Sequence, residues 1–133
     1  MPLLIKNILN KIKTFEEKIK DTGWINLTVL DNWIQYSGQN SLQCNKKAGI
    51  VYLHGIIRTS GGTATGSRNI AQLPAGFVPN GTTNNLYFST ISVHDNQRNP
   101  QHVQISKAGM IIGPANLEAN DWISLDGISF PAE

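Results

Sequence analysis

The stretch GIVYLHGIIRT, residues 49–59, carries apolar side chains on both of its faces. It is rich in β-branched residues, and a glycine stands before each of its two halves, at Gly49 and Gly55. Such a run is typical of a strand that is covered on both sides within a sandwich core. The segments on either side favour the same class of fold.

These neighbouring segments are short, alternate in polarity and are separated by Gly, Asn and Pro turns. Strands of this kind at this spacing predict an all-β antiparallel sandwich or barrel, with a jelly-roll-like head. Turns are expected at Asp31–Asn32 and at KAG (107–109). The predicted strands lie in WINLTVL (24–30), NLYFSTISVH (85–94), HVQIS (102–106), GMIIG (109–113) and DWISLDGISFP (121–131).

A different pattern precedes the strands. Residues 3–20 contain neither Gly nor Pro, and their apolar residues are spaced alternately three and four apart, which is the heptad pattern of a coiled coil. β-branched residues at both core positions favour three or four helices over two, so we expect a trimer or a tetramer. The predicted interface residues are Ile5, Ile8, Ile12, Phe15 and Ile19. The predicted domains are a helical lead at 1–22 and a β-sandwich head at 23–133.

Two alternatives for the helix stay open, namely packing on its own β domain or lying on a membrane surface. Membrane insertion is not expected, because no run approaches the length of a membrane span. Residues 22–133 hold six basic and six acidic side chains. A neutral domain lacks the basic surface that a phosphate backbone requires, so nucleic acid is not an expected partner.

The sequence offers little for catalysis. Cys44 is the only cysteine and is expected to be buried, so no intrachain disulfide forms. GGTATGSR (61–68) lacks the lysine of a phosphate-binding loop and is predicted to be a mobile glycine loop. No hydrolase motif, metal-binding motif or placed pair of carboxylates is present, so we expect no enzyme, cofactor or metal.

Binding is the better hypothesis. Aromatic rings beside amides, carboxylates and guanidinium groups suit saccharides, because the ring stacks on C–H faces while the polar groups bond hydroxyls. The alternatives are that each Trp is a core or rim residue and that HDNQR (94–98) is a solvated loop. The candidate saccharide-binding residues are Trp33, His94, Asp95, Arg98 and Trp122.

The irregular stretch AQLPAGFVP (71–79) can be neither a helix nor a central strand, because it holds two prolines. Together with DTGWINLT, NKKAGIVYLHGII, VQISKAGMIIG and the terminal WISLDGISFP it forms an ordered set over about residues 20–133. This set resembles the C-terminal head domains of tail-tip and baseplate receptor-binding proteins from phages of Gram-positive bacteria, especially the lactococcal type. The resemblance implies that Leu73 and Phe77 plug the sandwich while Pro74 and Pro79 set an extended crossover.

The same resemblance implies a homotrimer in the virion that binds a saccharide of the host cell wall without catalysis. The helical lead is shorter than in that family and lacks its virion-docking shoulder, so a fragment or a chain without its docking part is expected. No family sugar pocket can be matched residue by residue. The alternative function is a structural baseplate or tail-tip subunit that binds other virion tail proteins. A wall-degrading hydrolase is a third and weaker class.

Overall fold

The computed structural model describes residues 2–35, 40–81 and 84–132, in which one helix precedes eleven strands. The helix α1 spans Leu3–Ile19, close to its predicted bounds. The strands are β1 Ile25–Asn26, β2 Trp33–Gln35, β3 Gln43–Lys47, β4 Ile50–His54, β5 Ile56–Thr59, β6 Asn69–Gln72, β7 Leu86–His94, β8 Gln97–Ile105, β9 Met110–Ile112, β10 Trp122–Ser124 and β11 Ser129–Pro131.

The strands form two antiparallel sheets, which confirms the predicted sandwich class. The smaller sheet has the order β1-β3-β4-β11 and the larger one the order β2-β5-β10-β7-β8-β9-β6. The core is apolar and includes the predicted buried cysteine, whose thiol pKa is raised to about 11 by burial. Fully buried side chains of the two sheets include Cys44, Val51, Ile57, Ile105, Ile111 and Ile123, and the adjoining connections add Leu42 and Leu125.

The stretch 49–59 is divided between the two sheets. β4 belongs to the smaller sheet and β5 to the larger one, so the single strand predicted from the sequence is interrupted at Gly55. Gly55 has a φ of 135°, and a Cβ there would lie 2.7 Å from Leu42 Cα. Only glycine fits this close backbone approach, so Gly55 is where the chain crosses between the sheets.

The proline-containing stretch is a crossover as expected, but its path is not extended, because it turns at Ala75–Gly76. It follows β6, an edge strand of the larger sheet, and it buries Leu73 and Phe77 in the core. The Phe77 N–H donates to the Pro74 carbonyl at 3.0 Å, and Pro79 forms a bridge with Ala132. The prolines thus break the edge of the sheet while the two apolar side chains close the core.

The helix leaves its apolar residues uncovered by its own head. No residue of α1 is buried, and the exposed fractions of the five predicted interface residues run from 47% for Ile12 to 62% for Phe15. The alternative that this stripe packs on its own domain therefore does not hold. Among the described residues, no helix is long and apolar enough to cross a membrane.

Candidate functional site

The candidate residues lie at the end of the head that is remote from the helix. After α1 the chain joins the β3–β4 turn, where Thr22 and Lys46 exchange two 3.0 Å hydrogen bonds. The hairpin β7–β8 begins at the Leu86–Ile105 pair and runs to a turn at its far end. It begins near the helical end, because the Phe88 ring lies 6.2 Å from that of Phe130, which pairs with Val51 just after the β3–β4 turn. Eight residue steps carry it about 27 Å. We call the far end, with the 94–97 turn, the tip.

Two residues of the tip turn have positive φ, 45° at Asp95 and 65° at Asn96. Positive φ at both central residues is the geometry of a type I′ hairpin turn, and Asp and Asn accept it more readily than most residues. The turn holds β7 and β8 in continuous register, with His94 opposite Gln97 and Val93 opposite Arg98. The sequence of the turn therefore sets which faces its neighbours occupy.

Four strands bring a row of side chains together on the outer face of the larger sheet near the tip. Arg58 pairs with Trp122, Trp122 with Val93, and Val93 with Arg98. Directly opposite residues in antiparallel strands share a face. We call Arg58, Trp122, Val93 and Arg98 the outer row.

The outer row combines an aromatic ring with two guanidinium groups. Trp122 and Arg58 are half-buried and Arg98 is exposed. One guanidinium nitrogen of Arg58 donates to the side-chain oxygen of Asn120 at 3.3 Å, which also brings an amide beside the ring. Three strand spacings separate the backbones of Arg58 and Arg98 by about 14 Å. The row thus sets one guanidinium group on either side of a half-buried aromatic ring, a combination that can bond hydroxyls and stack on C–H faces.

His94 lies on the other face of β7, beneath the tip turn. Its Nδ1 contacts Asp121 Oδ1, and its Nε2 lies 3.3 Å from Asp95 Oδ2 and 3.3 Å from Glu118 Oε2. Asp121 is buried, and its second oxygen accepts the Glu118 N–H at 2.8 Å. Both ring nitrogens of His94 are therefore engaged within the chain.

This environment raises the pKa of His94 above its ordinary value of 6.5. The hydrogen bond to Asp121 is the largest cause; the negative charges of Asp121, Asp95 and Glu118 act in the same direction, and burial opposes them. The three carboxylates stabilise the protonated ring by attraction between opposite charges, whereas a neutral ring carries no charge for them to attract. His94 is thus placed to organise the tip and not to present a free donor to a ligand.

The structure separates the five predicted saccharide-binding residues into three groups. Arg98 and Trp122 share the outer row, and His94 and Asp95 are in contact beneath it. Trp33 belongs to the core: it is 5% exposed, and its Nε1–H donates to the Ser67 carbonyl at 3.2 Å. Its ring therefore offers no stacking face, and we leave it out of the candidate site.

One side chain, Asn32, makes three of the hydrogen bonds that hold the glycine loop at 61–68. The Asn32 amide nitrogen donates to the carbonyls of Gly62 at 2.7 Å and Ser67 at 3.0 Å, and its oxygen accepts the Gly61 N–H at 3.0 Å. These contacts differ from the mobile loop that the sequence predicted. The Asp31–Asn32 turn is present as predicted, and Asn32 holds it at a φ of 77°.

Sequence reasoning missed Arg58 and Asn120. The alternation of β5 places Arg58 on the face opposite to the buried Ile57, which is a local signal. Its neighbours, however, come from a strand and loop 62 residues or more further along the chain. Only the strand register shows that Arg58 stands beside Trp122.

Within the described residues, no group of three or more His, Cys, Asp or Glu side chains is arranged to hold a metal ion. What the tip offers instead is a ring, two guanidinium groups and an amide. Such a set can bind a ligand that carries hydroxyl or anionic groups.

No protein-family model and no curated protein sequence matches this chain. Two solved structures share its fold. The receptor-binding protein gp15 of Listeria phage PSA has a TM-score of 0.64 at 20% identity, over 96% of this chain and 74% of that one. The head domain of the lactococcal phage bIL170, described among receptor-binding domains, has a TM-score of 0.58 at 17% identity, over 83% of this chain and 97% of that one. The resemblance predicted from the sequence is confirmed at the level of the fold.

Proposed function

We propose that this chain is the head of a phage receptor-binding protein, located at the virion tail tip or baseplate. In this proposal it attaches the virion to a cell-wall saccharide of a Gram-positive host and performs no catalysis. The observation that carries the proposal is the outer row, which places Trp122 between Arg58 and Arg98 at the tip. The tip is remote from the helix, so a virion attached through the helix would present the tip to the cell.

The exposed apolar stripe of α1 supports association into a homotrimer. We call its five heptad residues, Ile5 to Ile19 as predicted above, the seam. Lys11 and Glu16 fall at positions that face each other on neighbouring chains, a pairing that favours one register. Three heads on one particle would raise the strength of attachment through effective concentration, even if one site binds weakly.

The orientation of the helix fits this assembly. A groove of about 770 Å³ lies between the end of α1 and the head, and Thr14, Glu17 and Lys18 line its helical wall. None of these three belongs to the seam. The polar side of the helix thus faces its own head, and the seam is left for other chains.

Cosedimentation with purified cell walls tests the proposal. The full chain is titrated against walls from a panel of Gram-positive species, beside Trp122→Ala and the Arg58→Ala/Arg98→Ala pair. We expect a tenfold or greater loss of apparent affinity, because a stacked ring and charged hydrogen bonds are worth about 1.4 kcal/mol or more. Tyr87→Ala is the matched control, since Tyr87 is 66% exposed on β7 at the opposite end of the hairpin.

Two results would contradict the proposal. One is the failure of the wild-type chain to bind any wall in the panel. The other is binding that Trp122→Ala and the paired arginine changes leave intact, because the outer row would then not be the site.

The second candidate is a structural tail-tip subunit that binds other virion proteins. The exposure of the seam favours it as much as it favours a trimer, and Leu3 and Leu4 are exposed beside the seam at 72% and 70%. In this case wall binding is absent, and the chain is recovered with other tail proteins through α1. Changes in α1 would then abolish that recovery, while changes in the outer row would not.

A further inference from the structure

His94 joins two separate elements of the tip. It stands at the end of β7, next to the hairpin turn, while Glu118 and Asp121 belong to the connection between β9 and β10. Trp122 directly follows Asp121 and begins β10. The contacts of one imidazole ring therefore connect the hairpin turn to the segment that carries the aromatic residue of the outer row.

The two protonation states of this ring cannot make the same contacts. A protonated imidazole has two N–H donors, one for Asp121 and one shared between Asp95 and Glu118. A neutral imidazole has one donor, and if Asp121 keeps it, a lone pair faces the other two carboxylates at 3.3 Å. Loss of the proton thus removes the attraction between the His94 ring and Glu118. It leaves the Nε2 lone pair facing the negatively charged carboxylates of Asp95 and Glu118.

The geometry points to a proton-controlled latch, in which protonated His94 holds residues 118–122 against the β7–β8 turn and deprotonation releases the Glu118 side. The raised pKa of His94 agrees with this direction. The other charged groups nearby, Arg58 of β5 and Arg98 of β8, lie on the outer face. Arg58 donates a hydrogen bond to the side chain of Asn120 in the same segment. Because a guanidinium group stays protonated across the working pH range, this bond does not depend on the protonation of His94.

The latch acts on a segment that has additional anchors. The Thr59 N–H donates to the Asp121 carbonyl at 3.0 Å, and the Asn120 N–H donates to the Thr59 carbonyl at 2.7 Å. These backbone bonds keep β10 in the sheet when the latch opens. The expected change is therefore a local loosening of residues 118–122 and not unfolding of the head.

The consequence for binding rests on the proposed function. The latch is closed below the ordinary pKa of His94 and opens as the pH rises through its raised value. A closed latch fixes Glu118 and the loop that leads into Trp122, so we expect saccharide binding to be strongest in mildly acidic solution. We expect the affinity for cell walls to fall by up to about fivefold between about pH 5.5 and about pH 9, because only the attraction of the exposed carboxylates of Asp95 and Glu118 is lost while the Asp121 bond remains.

NMR titration of the full chain over that pH range tests the latch without any ligand. The ring signals of His94 give its midpoint, and the backbone amides of Glu118 and Asp121 and the indole N–H of Trp122 report the segment. We expect all of these to share one midpoint above 6.5. In Glu118→Gln the His94 midpoint should fall, because one facing charge is removed from an exposed position. His102→Gln, which changes an exposed histidine of β8, should leave the shared midpoint in place.

The latch and the receptor-binding function fail in different ways. The latch is overturned if the signals of residues 118–122 do not titrate with His94, or if Glu118→Gln leaves the His94 midpoint unchanged. This conclusion does not depend on the result of the cell-wall measurements. If the signals follow His94 and no wall is bound at any pH, the latch stands and the receptor-binding function fails. If walls are bound with equal affinity across the range, the control of binding by the latch is overturned.

Discussion

The two ends of this molecule use opposite kinds of surface. At the helical end, the seam exposes apolar side chains that its own head leaves uncovered. At the tip, charged and polar groups bond one another around a buried carboxylate, Asp121. Association stabilises an uncovered apolar stripe because it removes apolar surface from water. In the polar cluster, hydrogen bonds hold the side chains in one geometry. The comparison supports our proposal that the helix assembles chains and that the tip recognises a ligand.

The largest expected effect comes from breaking the helical end. Ile12→Asn puts an amide at the centre of the seam, and each unsatisfied buried amide costs about 1–3 kcal/mol. We expect a weaker or altered oligomer with the β domain still folded. Sedimentation equilibrium measures this against a trimer of three chains of 14.6 kDa each.

Lys13→Asn is the control for that change, because Lys13 lies outside the seam. An unchanged mass for Ile12→Asn, together with unchanged thermal stability, would show that α1 is not the association surface. The two ends would then not differ in the way described above.

A smaller effect is expected when the side-chain hydrogen bonds of Asn32 are removed. Asn32→Ala loses three hydrogen bonds to the 61–67 loop and places alanine at a φ of 77°. We expect the free energy of unfolding to fall by about 1–3 kcal/mol in urea titrations. Asn32→Gly accepts the backbone conformation and loses only the bonds, so the difference between the two variants separates strain from bonding. Equal stability of the wild type and Asn32→Ala would mean that the loop is held by other groups.

The smallest effect concerns the pH dependence of stability. Because folding raises the pKa of His94, its contribution is complete below the ordinary value of 6.5 and is lost as the pH rises through the raised value. Thermal denaturation at a series of pH values should therefore show a decline in Tm across this window. We expect His94→Gln to flatten that decline and His102→Gln to retain it. A decline of the same size in His94→Gln would assign it to other groups.

Local patterns predicted the parts of the fold that depend on neighbours in the chain. The heptad spacing predicted α1, and the run 85–94 predicted β7 almost to its bounds. The proline stretch was predicted as a crossover from the resemblance, and Leu73 and Phe77 are buried as expected. The information for α1 and β7 lies within each segment, whereas the crossover was inferred from the order of several segments.

The features that local patterns did not reveal depend on distant residues. The break at Gly55 follows from the close approach of Leu42, which local polarity does not reveal. Trp33 follows a polar turn and so resembles a surface residue, yet β2 directs its ring into the core. The outer row needed the register of four strands, so Arg58 could not be connected with Trp122 from the sequence.

The burial of Cys44 has a practical consequence. It is the only cysteine of the chain; it is fully buried, and its thiol pKa is raised to about 11, so little of the reactive thiolate exists at neutral pH. A maleimide dye should therefore leave the folded head unlabelled. Lys107→Cys would add one exposed thiol at the 107–109 turn, remote from the tip. The head could then carry one fluorophore at a chosen position, which would report its binding in the cell-wall titrations.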